Sequence, residues 1–137
     1  MRLLAVSLSI ILLCSCAGNK KINTTNNGLN GTWVPQAQEF SGTQLPASSF
    51  ESQKLIINDS NYTVIAESVD KGTLRYSGNR IDILSKEGVN AGKHFTAIYK
   101  LENGELTICY NLKGDSYPEN FDTKGKPMYF LSVFKKE

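Results

Sequence analysis

Side chains that could do chemistry are few in this chain of 137 residues, which has three cysteines and one histidine. Cys109 would be a reactive thiol only if it were exposed and a nearby positive charge lowered its pKa. Its predicted cross-strand neighbour is Ile98, which has no charge, so we expect Cys109 to pack, with a redox or dimer-forming role as the alternative. His94 has neither a second histidine nor clustered carboxylates beside it in the sequence, which argues against a metal site.

Two other groupings have a spacing found in active sites but an unsuitable setting. Glu102 and Glu105 flank an Asn-Gly turn, and paired carboxylates can perform acid–base chemistry. At an exposed hairpin tip, however, we expect them to aid solubility. Residues 86–93 contain two glycines and two lysines but lack the Gly-Lys-Ser/Thr ending and the following helix of a phosphate loop. Without a nucleophile–base pair, the sequence predicts a protein that is not an enzyme and uses no cofactor or metal.

The remaining two cysteines lie near the amino terminus. A positive Met1-Arg2 precedes an apolar stretch, Leu3 to Leu13, that is shorter than the roughly twenty residues needed to span a bilayer. The stretch leads into Leu13-Cys14-Ser15-Cys16, which resembles the lipobox of bacterial lipoproteins. In these proteins a cysteine is acylated and the signal peptide is removed. Cys16 fits the acylated position because a small residue precedes it, whereas Cys14 would follow a leucine. The alternative is an ordinary secretory signal.

This amino-terminal pattern divides the chain. We expect residues 1–15 to be a lipoprotein signal peptide, residues 16–28 a flexible tether rich in Asn, Thr and Lys, and residues 29–137 the folded domain. Lipidated Cys16 would attach the protein to a membrane of the cell envelope. Ala17 stands where an inner-membrane retention signal has Asp, so we expect the outer membrane if the host is Gram-negative.

The rest of the composition favours a small β protein. Tyr, Phe, Ile, Val and Thr are plentiful, and long apolar helical stretches are absent. The formal net charge of +2 is too small, and its basic residues too scattered, to indicate a nucleic-acid surface. We therefore expect a monomer that has no nucleic-acid partner.

Three hairpins can be paired residue by residue around Asp59-Ser60, Gly78-Asn79 and Asn103-Gly104. In each register the large apolar side chains fall on one face of the strand pair. In the second hairpin we expect Arg75 to meet Asp82 on the other face as an exposed ion pair. The clearest is the third, in which Leu101 faces Leu106. Eight strands are predicted: residues 33–40, 53–58, 61–67, 73–77, 80–84, 94–102, 105–112 and 128–134.

An antiparallel meander of this length most readily closes into an eight-stranded up-and-down barrel, because closure removes the exposed strand edges. Such a barrel either fills its interior with side chains or holds one small ligand, and the sequence leaves both open. The aromatic residues expected to face the interior, and hence to bind a ligand, are Tyr62, Tyr76, Phe95, Tyr99 and Tyr110.

A family resemblance points the same way. Gly31-Thr32-Trp33 is similar to the Gly-x-Trp signature of lipocalins, in which the tryptophan packs across the closed end of the barrel. Over residues 29–136 the chain resembles a family of small secreted bacterial lipocalin-like domains without an established function. The resemblance implies an extracytoplasmic, calycin-type barrel and assigns no catalytic residues. It is carried by Leu29-Asn30-Gly31-Thr32-Trp33, Tyr62-Thr63-Val64, Gly72-Thr73-Leu74, Ile81-Asp82-Ile83, Gly92-Lys93, Ala97-Ile98-Tyr99-Lys100-Leu101, Leu106-Thr107-Ile108-Cys109-Tyr110, Pro118 and Phe121.

The sequence thus predicts a lipid-anchored envelope protein with a lipocalin-like barrel that binds a small apolar or amphipathic ligand. The alternative is a protein-interaction or inhibitor module with a packed barrel and no ligand. We expect Tyr117, Pro118 and Phe121 to close one end of the barrel, with a partner-binding patch as the alternative for them.

Overall fold

A computed structural model describes residues 28–137, and the expected signal peptide and lipidated Cys16 lie outside this range. Within these residues the regular secondary structure is β-strand apart from one 3-10 turn. Its elements are β1 (Gly31–Phe40), β2 (Thr43–Gln44), a 3-10 turn (Ala47–Ser49), β3 (Lys54–Asn58), β4 (Asn61–Ile65), β5 (Val69–Ser77), β6 (Arg80–Glu87), β7 (His94–Glu102), β8 (Glu105–Asn111) and β9 (Tyr129–Lys136).

Eight of these strands form a closed antiparallel barrel. Neighbouring strands pair in the order β1-β3-β4-β5-β6-β7-β8-β9, and β9 pairs back with β1 to complete the circle. The ninth strand, β2, is a two-residue extension that pairs with the end of β1. The prediction of an all-β, eight-stranded up-and-down barrel of lipocalin-like form is confirmed.

The three hairpin registers are also confirmed. Ile57 faces Tyr62, Tyr76 faces Ile81, and Leu101 faces Leu106, as the apolar alternation requires. At the third turn Asn103 and Gly104 both have positive φ, 52° and 75°, which gives the twist that a tight hairpin needs. One-sided burial fixes each register, because a slip by one residue would turn the apolar set towards solvent.

Trp33 closes one end of the barrel. Its side chain is 2% exposed, and its indole Nε1 donates a hydrogen bond of 2.8 Å to the carbonyl oxygen of Leu29, which is fully buried. Lys136 lies over the indole ring, with its ammonium 5.4 Å from the ring centre. The start of β1 pairs with the end of β3, so the β3–β4 turn lies at this closed end. Because successive strands alternate in direction, the β5–β6 and β7–β8 turns lie there too.

Residues 113–127, which we call the outer strap, lie across the outside of the barrel. Thr96 donates a 2.5 Å hydrogen bond to the carbonyl of Ser116 in the outer strap, and Tyr117 donates one of 2.7 Å to Asp82. Phe121 lies under the ammonium of Lys100, 4.9 Å from the ring centre.

Two expectations about this region are wrong. Tyr117, Pro118 and Phe121 do not close a barrel end, because they lie against the outward face of the wall. The expected ion pair between Arg75 and Asp82 is replaced, since one carboxylate oxygen of Asp82 binds His94 at 3.0 Å and the other accepts from Tyr117. The cross-strand register of Arg75 and Asp82 is nevertheless the predicted one.

No helix of the described residues is long and apolar enough to cross a membrane.

Candidate ligand-binding cavity

Side chains do not fill the barrel. A cavity of about 550 Å³ occupies the half away from Trp33. Its floor is aliphatic, and its walls carry several aromatic rings, so most of the lining is apolar. It reaches the surface near Met128, which is 39% exposed, and near the exposed Lys93. The apolar lining consists of Pro35, Leu55, Ile57, Tyr62, Val64, Leu74, Ile81, Ile83, Phe95, Ile108, Tyr110, Leu112, Met128, Phe130 and Phe134.

The five aromatic residues expected in the interior divide into two groups. Tyr62, Phe95 and Tyr110 line the cavity. Tyr76 and Tyr99 do not line it; they are buried in the core and meet edge to face, with ring centres 6.3 Å apart. The barrel is therefore packed around Trp33, Tyr76 and Tyr99, whereas the free volume lies beside Tyr62, Phe95 and Tyr110.

Val64, Phe95 and Tyr110 are only partly buried although they lie against the core. Burial raises the pKa of the Tyr110 hydroxyl, mainly because the charged form would lose its hydration. A phenol that is both poorly hydrated and partly accessible is what a wall residue of an apolar cavity should show. Phe130 packs against Tyr110 with ring centres 5.7 Å apart and continues this wall on β9.

Tyr62 has polar neighbours on the next two strands, β5 and β6. Burial raises the pKa of its hydroxyl, the Ser85 hydroxyl opposes this, and the charge of Asp70 adds to it. Ser85 Oγ is buried and makes no hydrogen bond within the described residues. Asp70 accepts a 3.2 Å hydrogen bond from the backbone nitrogen of Asn90, which fixes the β6–β7 loop at the rim.

A second polar group lies on the β1 side. Gln38 lines the cavity and is 4% exposed. Its Nε2 donates to Gln53 Oε1 at 2.9 Å and approaches Ser132 Oγ at 3.4 Å. Gln53 in turn donates from its Nε2 to the carbonyl of Ser49 at 3.1 Å, so the 3-10 turn supports the amide pair.

Three charged side chains, Lys54, Asp70 and Lys93, also line the cavity. Lys54 forms an ion pair of 2.6 Å with Glu137, and both side chains are about half exposed. Lys93 is exposed, and its ammonium donates to Asn90 at 3.3 Å. Exposed charges of this kind contribute at most about 1 kcal/mol to an interaction. The rest of the lining consists of apolar surface and a few neutral polar groups, among them the buried Gln38.

The other candidate residues are placed by the structure outside the cavity. Cys109 is fully buried between β7, β9 and the outer strap, and burial raises its pKa to about 11, which suppresses the thiolate. Its packing role is confirmed. His94 pairs with Asp82 on the outer wall, and the described residues contain no group of three or more potential metal ligands. Glu102 and Glu105 face each other, exposed, at the hairpin tip.

Sequence reasoning missed Gln38 as a lining residue. Strict alternation from Trp33 would point Gln38 outward, but a register shift between Pro35 and Ala37 returns it to the interior. Pro35 is the signal that could have located the shift, because proline inside a strand marks an edge or a bulge.

No protein-family model matches the chain, and no curated protein matches it.

Proposed function

We propose that this protein is a lipid-anchored component of the cell envelope that binds a small apolar or amphipathic molecule inside its barrel. The observation that carries the proposal is the cavity of about 550 Å³ with a mostly apolar lining. Apolar pockets of a few hundred Å³ with a few polar groups are typical of small-molecule sites. The lipobox-like Cys16 supports the envelope location.

The cavity can supply useful but limited affinity. Removing about 250 Å² of ligand and wall surface from water contributes about 6 kcal/mol, at about 25 cal/mol per Å². Part of this offsets the lost freedom of the ligand. Apolar contact alone therefore supports binding no tighter than about tens of micromolar, and buried polar contacts must provide any additional affinity and selectivity.

The test is whether blocking the cavity blocks binding. A neutral apolar dye, phenyl-naphthylamine, becomes fluorescent when it leaves water. We expect the domain to enhance its fluorescence, and we expect Val64→Trp, which places an indole in the cavity, to weaken binding at least tenfold. Thr63→Trp is the matched control, because alternation along β4 points this neighbour to the outer wall.

Each result has a clear meaning. Loss of dye binding in Val64→Trp, with binding retained in Thr63→Trp and similar melting temperatures in both, supports a ligand site in the barrel. Absence of binding to the parent protein, or equal binding by both variants, would contradict it. Mass spectrometry of the mature protein tests the anchor separately, since an amino terminus other than an acylated Cys16 would remove that part of the proposal.

The protein-interaction alternative required a packed barrel. The free volume in the open half therefore favours ligand binding over this alternative. Capture of a consistent envelope neighbour by proximity labelling, combined with no dye binding, would reverse the preference.

A further inference from the structure

We propose that the ligand carries a neutral hydrogen-bond donor, such as a hydroxyl or an amide N–H, which it presents to Oε1 of Gln38. This inference rests on the proposed function and specifies the head group of its ligand. It makes the preferred molecule a neutral amphiphile and excludes a simple fatty-acid anion, which has an apolar chain but no donor.

The orientation of the Gln38 carboxamide follows from its neighbours. The carbonyl of Ser49 can only accept a hydrogen bond, so Gln53 must turn its Nε2 towards it. Gln53 then presents Oε1 to Gln38 at 2.9 Å, and this contact requires a donor from Gln38. The Nε2 of Gln38 is therefore already hydrogen-bonded. Its Oε1 is the amide atom that is left to accept a further hydrogen bond.

No donor from the described residues reaches Gln38 Oε1. The residue is 4% exposed, yet this oxygen is not sealed off as Ser85 Oγ is, so it retains contact with the open space of the cavity that Gln38 lines. An acceptor in this position can be satisfied by water or by a ligand donor. An ionised carboxylate offers only acceptors and would repel it.

The relative size of two effects decides the head group. Leaving a buried acceptor without a partner weakens binding by about five- to 150-fold. A ligand anion that pairs with Lys93 would bind at most about fivefold more tightly, because that ammonium is exposed and solvated. Satisfying Gln38 therefore outweighs pairing with Lys93, and a neutral donor is preferred to an anion.

Three probes with the same alkyl chain separate these chemistries: dodecanol has a donor, methyl dodecanoate has acceptors only, and dodecanoate is an anion. Their affinities are measured by displacement of phenyl-naphthylamine. We expect dodecanol to bind about tenfold more tightly than either of the others. Gln38→Leu should bring the ratio of dodecanol to methyl dodecanoate close to one while methyl dodecanoate still binds.

Ser132→Ala and Lys93→Gln are the controls. Ser132→Ala removes a hydroxyl next to Gln38 but not the acceptor, so the tenfold ratio should persist. Equal binding of the alcohol and the ester by the parent protein would overturn the inference, because a bound water would then satisfy Gln38. Tightest binding by dodecanoate, abolished in Lys93→Gln, would overturn it in favour of an anion site. Binding of none of the probes or the dye would instead contradict the proposed function.

Discussion

The ring of Tyr62 lies directly over Gly72, its cross-strand partner. A methyl group added to Gly72 would come within 2.7 Å of Cε1 of Tyr62 and even closer to the carbonyl oxygen of Leu84. Because Gly72 on β5 has no side chain, the phenol ring of Tyr62 on β4 can lie against the wall. Gly72 therefore sets the width of the cavity on this side.

Gly72→Ala should consequently destabilise the domain by about 1–3 kcal/mol, because overpacking forces side chains and backbone to shift. The displaced Tyr62 ring should also weaken binding of phenyl-naphthylamine. Chemical denaturation and dye titration measure the two effects. Lys71→Ala, at an exposed neighbouring position, should change neither, and a stable Gly72→Ala protein with normal dye binding would refute the relationship.

Trp33→Phe should cost about 2–4 kcal/mol of stability. The change removes buried indole volume and leaves the carbonyl of Leu29 without its 2.8 Å donor, and both losses occur in the packed closed end. Thermal unfolding measures the loss. Because the cavity lies in the other half, dye affinity of the folded variant should be unchanged. A marked fall in affinity at matched folding would show that the two halves are coupled.

Cys109 should make the domain less stable in alkali. Its folded pKa of about 11 lies above the ordinary value of 9.0, so the unfolded chain loses the thiol proton first. Its contribution is present below pH 9 and falls by about 2–3 kcal/mol as the pH rises to 11. In Cys109→Ala this part of the decline should be absent when unfolding free energies are compared across the same pH range. An identical pH slope in both proteins would contradict the assignment.

Tyr117→Phe should loosen the outer strap more than it destabilises the fold. The change removes the 2.7 Å hydrogen bond to Asp82 and leaves the ring beside Arg80, whose guanidinium carbon lies 4.7 Å from the ring centre. We expect a stability loss of about 1 kcal/mol. Alkylation of Cys109, in a protein whose other cysteines are replaced by serine, should accelerate several-fold.

A second variant, Arg80→Gln, tests whether the hydrogen bond of Tyr117 or the cation beside its ring limits access to Cys109. It removes the cation above the ring but keeps the hydroxyl, so alkylation should change less than in Tyr117→Phe. If neither variant exposes the thiol faster at equal stability, the outer strap does not control access to Cys109.

Those parts of the fold that depend on local alternation could be predicted from the sequence. Pairings such as Ile57 with Tyr62 follow from a period of two residues and a recognisable turn, because burial on one face penalises every other register. Irregular segments provide no such rule. Residues 113–127 have no period, so nothing in them indicates that Pro118 would be buried on the outer wall instead of at a barrel end.

The cavity was harder to predict for a different reason. Alternation gives the direction of a side chain but not the volume left between opposite walls. Tyr76 and Tyr99 fill the closed half, whereas Tyr62 and Tyr110, of the same type and the same inward direction, leave space between them. Gln38 was missed because a single inserted residue near Pro35 reverses the direction of the rest of β1.

Both ends of the described chain lie together at the closed end of the barrel. The chain reaches β1 through Leu29 beneath Trp33, and the backbone nitrogen of Glu137 donates to the carbonyl of Thr32 at 2.9 Å. The cavity opens at the other end of the barrel. The two ends of the described chain and the cavity opening therefore lie at opposite ends of the domain. An acyl group at Cys16 would therefore be linked to the end of the barrel opposite the opening through which a ligand enters.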